Sequence, residues 1–139
     1  MPFVKIKHAG GMRFSGETST GHDVVMDAGP EFGGENRGAR PMDVLLASLG
    51  GCTGMDVISI LRKKKQDVTG FEININGRRA EEHPKKYTDI DMEFVVRGRN
   101  ISPEAVERAV QLSMEKYCSV KATIEGVSRI SYRHTIINE

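Results

Sequence analysis

The sequence predicts an α+β protein of one domain, residues 1–139, with its elements in the order βββ-α-ββ-α-β. Two observations support this prediction. Two apolar segments begin with helix-start signals, and the stretches around them alternate between apolar and polar residues with the period of a half-buried strand. The length of 139 residues suits a single domain with a core of its own. The 15 glycines indicate many turns or close backbone approaches.

Alternating patterns predict six strands, over residues 3–8, 12–18, 22–27, 68–80, 87–97 and 127–137. The first two are joined by Gly10-Gly11, a pair that is typical of a hairpin turn. One face of the fifth strand carries the apolar residues Ile90, Met92 and Phe94. Residues 28–40 are rich in glycine, proline and charge, which indicates a long loop, and such loops in compact domains are often functional.

The first helix is predicted to begin at Pro41, since proline suits the first helical position, and to run to about Gln66. Asp43 lies in its first turn, where a carboxylate is favourable to the helix dipole. Residues 44–61 are apolar nearly all round, so we expect this helix to be central and buried. Asp56 lies within that stretch, and a carboxylate there argues against a membrane span.

The second helix is predicted to begin with Ser102 as N-cap and Pro103 at the first helical position. We expect it to reach Cys118, with a short helical piece continuing to Glu125. Its buried stripe is predicted to consist of Val106, Ala109, Val110, Ser113, Met114 and Tyr117.

Charge and composition exclude several classes of function. Lys and Arg number 20 and Asp and Glu 19, so the net charge is +1. The chain therefore lacks the excess of positive charge that is typical of proteins that bind nucleic acid. The first residues lack the apolar run of a secretory signal, so we expect a cytoplasmic protein with free or redox-active thiols. Four scattered histidines and two cysteines give no zinc spacing, so neither a metal nor another cofactor is expected.

Cys52 lies inside the first predicted helix, close to Gly50, Gly51 and Gly54. Each glycine costs about 1 kcal/mol in a helix interior, so something must compensate for three of them. One explanation is close packing against a neighbouring element, and the other is room for a substrate to reach the sulfur. The sequence leaves both open.

A reactive thiolate at Cys52 needs a nearby cation to lower the thiol pKa. Arg37 and Arg40, on the loop before the helix, are the candidates. Arg40 precedes Cys52 by about 18 Å of helix length, so it cannot simply fold back onto that sulfur. The cation would have to come from the loop curling over the site or from a second subunit.

Cys118 ends the second predicted helix and can contact Cys52 only through tertiary packing. If packing brings the two sulfurs together, they form a dithiol couple suited to peroxide chemistry. A thiolate attacks the O–O bond, a sulfenic acid forms, and the second thiol closes a disulfide. If packing keeps them apart, Cys118 is a core cysteine at a helix end.

Residues 40–57 (RPMDVLLASLGGCTGMDV) resemble the first-cysteine helix of the OsmC/Ohr family of hydroperoxide reductases. Residues 109–120 (AVQLSMEKYCSV) resemble its second-cysteine segment. The resemblance covers essentially the whole chain, because the predicted order of elements also matches. It implies an OsmC-like fold and an intertwined homodimer, with two long central helices wrapped by sheets from both chains and two sites at the interface.

The resemblance also implies a cysteine-based peroxidase that reduces small organic hydroperoxides. Cys52 would be the peroxidatic thiol and Cys118 the resolving one, with a Cys52–Cys118 disulfide as intermediate. An arginine from the preceding loop would activate the thiolate, with Arg40 as first choice and Arg37 as second. A dithiol reductant, such as a lipoyl protein, would then reduce the disulfide.

The sequence departs from the better-known members of the family at one position. Those members carry a glutamate ten residues before the reactive cysteine, where this chain has Met42, and the nearest carboxylate is Asp43. The chain therefore resembles the OsmC-like branch more closely. The alternative that follows is a non-catalytic OsmC-like stress or small-molecule-binding protein with structural cysteines.

Overall fold

The computed structural model describes residues 3–139 and has the predicted α+β element order, with additional short helical segments. The strands are β1 (Lys5–His8), β2 (Phe14–Glu17), β3 (Asp23–Met26), β4 (Asp67–Arg79), β5 (Tyr87–Arg99) and β6 (Arg129–Asn138). The helices are α1 (Pro41–Lys63), α2 (Pro103–Leu112) and α3 (Ser119–Ile124), with a 3-10 turn at Pro30–Phe32 and a π-helical segment at Ser113–Tyr117. The chain divides into two compact units. The N-terminal unit ends at Leu45 and the C-terminal unit begins at Leu46, so the boundary lies within α1.

The N-terminal unit contains an antiparallel sheet in the order β1-β2-β3. The predicted Gly10-Gly11 turn joins β1 to β2, and both glycines have positive φ, +99° and +55°, which a residue with a Cβ rarely adopts. All four residues of β1 are exposed in the single chain. Large apolar side chains of the unit, including Ile6 and Phe14, are exposed as well.

The C-terminal unit contains a second sheet, in the order β4-β5-β6. The strands β4 and β5 form the predicted antiparallel hairpin, whereas β6 pairs with β5 in parallel. A parallel neighbour requires a long crossover, which α2, the π-helical segment and α3 supply. The alternating pattern of residues 127–137 predicted this strand but carried no information about its partner.

The central strand β5 supplies much of the core of the C-terminal unit. Its predicted apolar face is confirmed, since Ile90, Met92 and Phe94 are almost completely buried. The α2 side chains Ala105, Val106, Ala109 and Val110 are buried as well. Ser102 caps this helix as predicted, accepting a hydrogen bond from the Ala105 N–H at 3.2 Å.

Helix α1 begins at Pro41 as predicted and ends at Lys63 rather than near Gln66. The chain turns at Lys65, whose φ is +56°. The helix buries only a stripe at every fourth position, formed by Leu49, Thr53, Val57 and Leu61. The expectation of burial all round is therefore wrong for the single chain, in which Met55 is 73% exposed.

By length and composition alone, α1 would also satisfy the requirements of a membrane-crossing helix. Core helices of soluble proteins pass the same test. The buried stripe of α1 and its polar contacts, described below, show that one face of the helix packs within the protein.

The second predicted helix is interrupted before it reaches Cys118. Regular α2 ends at Leu112, and the chain continues as the π-helical segment Ser113–Tyr117 before α3 begins. Tyr117 was predicted to belong to the buried stripe, but it is 49% exposed. The wider π turn displaces the side chains by about one position, so the helical period that predicts Tyr117 on the inner face does not apply there.

Candidate functional site

The two cysteines meet in the C-terminal unit, and both are free thiols. Cys52 lies on α1 and is half-buried, whereas Cys118 lies between the π-helical segment and α3 and is only 4% exposed. Cys52 lies close enough to Cys118 to raise the pKa of its thiol. Of the two alternatives that the sequence left open, the structure therefore shows the one in which packing brings the sulfurs together.

The π-helical segment determines which residue faces Cys52. The Cys118 N–H donates to the Ser113 carbonyl at 2.8 Å, a bond that closes a five-residue turn. Residues joined in this way lie one above the other, so Cys118 stacks on the same side as Ser113. In a regular α-helix Tyr117 would occupy that place. The π turn thus explains both the burial of Cys118 and the exposure of Tyr117.

The surroundings of Cys118 keep its sulfur protonated. Burial is the largest cause that raises its pKa, to about 11, from an ordinary value of 9.0. The neighbouring Cys52 sulfur and the charge of Asp56 raise it further, while the Lys121 N–H, which donates to Sγ at 3.4 Å, lowers it. Cys118 is therefore a thiol at neutral pH, and it can donate its hydrogen towards Cys52.

A chain of hydroxyl and carboxylate groups lies next to the cysteines. Ser113 Oγ donates to Asp56 Oδ2 at 2.8 Å, and Thr53 Oγ1 lies 2.6 Å from Ser113 Oγ. Because the Ser113 hydrogen goes to the carboxylate, Thr53 is the donor in the second bond. The side chains of Thr53 and Ser113 are completely buried.

Sequence reasoning did not assign a role in the site to Thr53, Asp56 or Ser113. The signal that could have found them is a set of polar residues inside otherwise apolar helical stripes. Thr53 follows Cys52 directly and Asp56 follows it by one helical turn. A buried polar group needs a partner, so polar residues on two apolar stripes predict a contact between them.

The glycines of α1 pack against β4. A Cβ on Gly50 would lie 2.9 Å from Ile75 Cδ1, and one on Gly54 would lie 3.4 Å from Ile73 Cδ1. A Cβ on Gly51 would meet open space. Close packing therefore accounts for Gly50, whereas a Cβ on Gly54 would make nearly an ordinary contact. Gly51 borders a groove of about 510 Å³ between α1 and β4.

The long loop of the N-terminal unit is organised by Asp27, a residue that the sequence did not single out. This aspartate is 3% exposed, and its carboxylate accepts the backbone N–H groups of Ala28, Glu35 and Arg37 at 2.8, 3.1 and 3.0 Å. The Arg37 N–H is the largest cause that lowers the pKa of Asp27. The carboxylate is therefore ionised at neutral pH and fixes the path of the loop.

The two candidate arginines of this loop have different surroundings. The Arg40 guanidinium is half-buried and donates to the Asp27 carbonyl oxygen at 3.4 Å and to Asn36 Oδ1. The Arg37 side chain is mostly exposed and lies 3.9 Å from Glu35, an ion pair of little strength. Asp43 is exposed in the first turn of α1.

Arg40 also borders a pocket of about 460 Å³ in the N-terminal unit. The pocket is lined by Ile6, Met12, Phe14, Met26, Asp27, Ala28, Arg40 and Pro41. Its walls are mostly apolar, and Arg40 supplies the cation. This distinguishes Arg40 from Arg37, which does not line the pocket.

The predicted site residues fall into two groups. Cys52 and Cys118 belong to the C-terminal unit and are brought together, whereas Arg37, Arg40 and Asp43 belong to the N-terminal unit. Participation of the second group in the chemistry of Cys52 therefore stays a prediction. Within residues 3–139, no group of three or more His, Cys, Asp or Glu side chains is placed to hold a metal ion.

Comparisons with known proteins agree on one family. The family model of "OsmC-like protein" matches residues 33–133. The curated "Protein YhfA" of Escherichia coli (strain K12) is 38% identical over 134 residues, which cover 96% of this chain and 97% of that protein. A solved structure of a hypothetical protein from Aquifex aeolicus VF5 is 34% identical with a TM-score of 0.88, and the match covers 100% of this chain and 98% of that one.

A more distant structure shares the fold alone. The organic hydroperoxide resistance protein OhrB of Bacillus subtilis is 16% identical with a TM-score of 0.63, over 96% of this chain and 98% of that one. The matches confirm the family resemblance and the OsmC-like fold that the two cysteine segments predict. This chain belongs to the OsmC-like protein family.

Proposed function

We propose that this protein is a cysteine-based peroxidase that reduces small organic hydroperoxides in the cytoplasm. The observation that supports this most directly is the pair of neighbouring free thiols, one half-buried on α1 and one buried and protonated close to it. Membership of the OsmC-like family and a fold shared with an organic hydroperoxide resistance protein support a role in redox and stress chemistry.

In the proposed reaction the Cys52 thiolate attacks the O–O bond of the hydroperoxide. The distal oxygen is transferred to sulfur, the alcohol leaves with a proton, and Cys52 becomes a sulfenic acid. Cys118 then attacks that sulfur, a Cys52–Cys118 disulfide forms, and the hydroxyl leaves as water with the Cys118 proton. An external dithiol, for which a lipoyl protein is our candidate, reduces the disulfide.

The greater exposure of Cys52 supports its assignment as the attacking thiol. The protonated, buried Cys118 suits the second role, because it cannot compete for the peroxide as a thiolate. Once the sulfenic acid has formed, the proximity of the two cysteines makes disulfide closure an intramolecular step.

Arg40 is our candidate for the cation that stabilises the Cys52 thiolate and the developing charge on the peroxide. Its guanidinium is held by two acceptors of its own loop and borders an apolar pocket, a setting that suits a substrate with an apolar body. Arg37 remains the second choice. Asp43 is our candidate for the carboxylate that takes the place of the family glutamate, since Met42 occupies that position.

We also propose that the protein acts as a homodimer. The single chain exposes large apolar side chains on two features, the β1–β3 sheet and α1. These include Ile6, Phe14, Val25, Leu45 and Met55. Apolar exposure of this extent usually marks an interaction surface. Light scattering is expected to give the mass of two chains, and the mass of one chain would contradict the dimer.

The test of the peroxidase proposal is hydroperoxide consumption in the presence of dithiothreitol. The native protein is expected to consume an organic hydroperoxide catalytically, and Cys52→Ser to abolish consumption above background. Without dithiothreitol, Cys118→Ser is expected to consume one equivalent of hydroperoxide and to accumulate sulfenic acid on Cys52. Equal rates for the native protein and Cys52→Ser would refute the proposal.

The second candidate function is a non-catalytic stress or small-molecule-binding protein with structural cysteines. The observation that favours it is Met42 at the position of the family glutamate. The two functions differ in the alkylation rate of Cys52 near neutral pH. A thiolate site reacts quickly with iodoacetamide, whereas a structural thiol reacts slowly.

A further inference from the structure

Ser113 connects the backbone of Cys118 to the side chains of α1. Its carbonyl accepts the Cys118 N–H at 2.8 Å, and its hydroxyl donates to Asp56 at 2.8 Å. Its hydroxyl also lies 2.6 Å from that of Thr53. Thr53 and Asp56 both follow Cys52 on α1, so a continuous set of hydrogen bonds runs from the helix of one cysteine to the backbone of the other.

These side-chain bonds link the helix of Cys52 to the segment that precedes Cys118, and they are shielded from water. Thr53 and Ser113 are fully buried, so water does not compete for the hydroxyls. The segment Ser113–Tyr117 is π-helical and continues α2, since the Ser113 N–H donates to the carbonyls of Ala109 and Val110. Such segments depart from the more stable α geometry and occur frequently at functional sites.

We propose that Asp56, acting through Ser113, is a positioning residue that holds Cys118 in reach of Cys52 and thereby determines the rate of disulfide closure. The proposal rests on the proposed function for its place in a catalytic cycle. Closure itself is a thiol–disulfide exchange that can be measured without peroxide.

The charge of Asp56 and its positioning effect change the rate of disulfide closure in opposite directions. The groups that influence Cys118 electrostatically are Cys52 and Asp56 on α1 and the Lys121 N–H in α3, while the Lys121 ammonium pairs with Glu125 at 2.7 Å. The Asp56 charge raises the pKa of Cys118. Through charge alone, Asp56→Asn would increase the thiolate fraction of Cys118 and accelerate closure. Through positioning, the same change slows closure, because the amide oxygen of asparagine accepts the Ser113 hydrogen more weakly than the carboxylate does.

The experiment uses one equivalent of dithiobis(nitrobenzoate) per reduced chain. Cys52 attacks the reagent, forms a mixed disulfide and releases one thionitrobenzoate. Cys118 then attacks the Cys52 sulfur, its proton goes to solvent, and the second thionitrobenzoate leaves as the Cys52–Cys118 bond forms. The two absorbance phases report the accessibility of Cys52 and the closure rate separately.

We expect Asp56→Asn and Ser113→Ala to slow the second phase by about 10- to 100-fold and to leave the first phase within about twofold. Glu107→Gln, on the exposed face of α2, serves as the matched control and is expected to match the native protein in both phases. The pH midpoint of the second phase is expected to fall in Asp56→Asn and to stay at the native value in Ser113→Ala, which keeps the Asp56 charge. Because burial also raises the pKa of Cys118, a general loss of packing would lower the midpoint in both variants.

A second phase in folded Asp56→Asn that is as fast as in the native protein, or faster, would overturn the proposal. If circular dichroism shows that Ser113→Ala does not fold, the closure rate of Asp56→Asn alone decides whether the positioning proposal stands. Slow closure in the variants, together with a native protein that consumes no hydroperoxide, would support the positioning role and refute the peroxidase proposal alone.

Discussion

The contact between α1 and the π-helical segment can be tested through the stability of the protein, and Ser113→Ala is the most informative change. The substitution removes a hydrogen bond to a carboxylate, worth about 1.5–3 kcal/mol. It also leaves the Thr53 hydroxyl, which is completely buried, without its partner, at a cost of about 1–3 kcal/mol. Thr53 can recover part of that cost by bonding to a carbonyl of its own helix. We therefore expect a loss of about 2–4 kcal/mol of unfolding free energy.

Thr53→Val is the matched comparison, because it removes the other hydroxyl and keeps the buried shape. The bond from Ser113 to Asp56 remains, so the expected loss is only about 1 kcal/mol. Urea unfolding at one fixed protein concentration measures both values, since oligomer formation would make stability depend on concentration. A Ser113→Ala loss below about 0.5 kcal/mol, or one smaller than that of Thr53→Val, would refute the reasoning.

Three further predictions concern other parts of the fold. The lowered pKa of Asp27 contributes stability above its ordinary pKa of 3.8 that is lost as the pH falls, so Asp27→Asn is expected to flatten the acid limb of a stability–pH profile. The raised pKa of Cys118 contributes stability that is complete below pH 9.0 and is lost as the pH rises through about 11. The native protein should therefore lose its stability advantage over Cys118→Ala across that interval, and a constant difference would count against the assigned burial. Phe94→Ala is expected to cost about 3–5 kcal/mol in urea unfolding, and Tyr117→Ala about 0.5 kcal/mol or less; similar losses would contradict their assigned burial.

The element order was predictable because its signals are local. Pro41 and the Ser102-Pro103 pair mark helix starts that the structure confirms within a residue. The alternation along β5 identified its buried face, since successive side chains of a strand point to opposite sides. Gly10-Gly11 identified the first hairpin through its backbone conformation.

The features that sequence reasoning missed depend on contacts between distant segments. The parallel pairing of β6 with β5 is set by the crossover and not by the pattern of either strand. The π turn depends on its tertiary setting, which the sequence pattern does not contain. A helical period of 3.6 residues therefore placed Tyr117 on the inner face, where the structure has Cys118.

The candidate site was only partly accessible from sequence for the same reason. Cys52 and Cys118 were identified through their flanking residues, whereas their contact required the packing of α1 against the π-helical segment. Asp27 was missed because the binding of backbone N–H groups by a carboxylate leaves no mark in the sequence other than the aspartate itself.

The most direct test of the account is the covalent state of the reduced native protein after one equivalent of an organic hydroperoxide. Mass spectrometry under denaturing, non-reducing conditions is predicted to show a loss of two hydrogens per chain. Peptide mapping is predicted to show a single new link, between Cys52 and Cys118 of the same chain. Two intact thiols, a disulfide between chains, or a Cys52 sulfinic acid without the link would contradict the account.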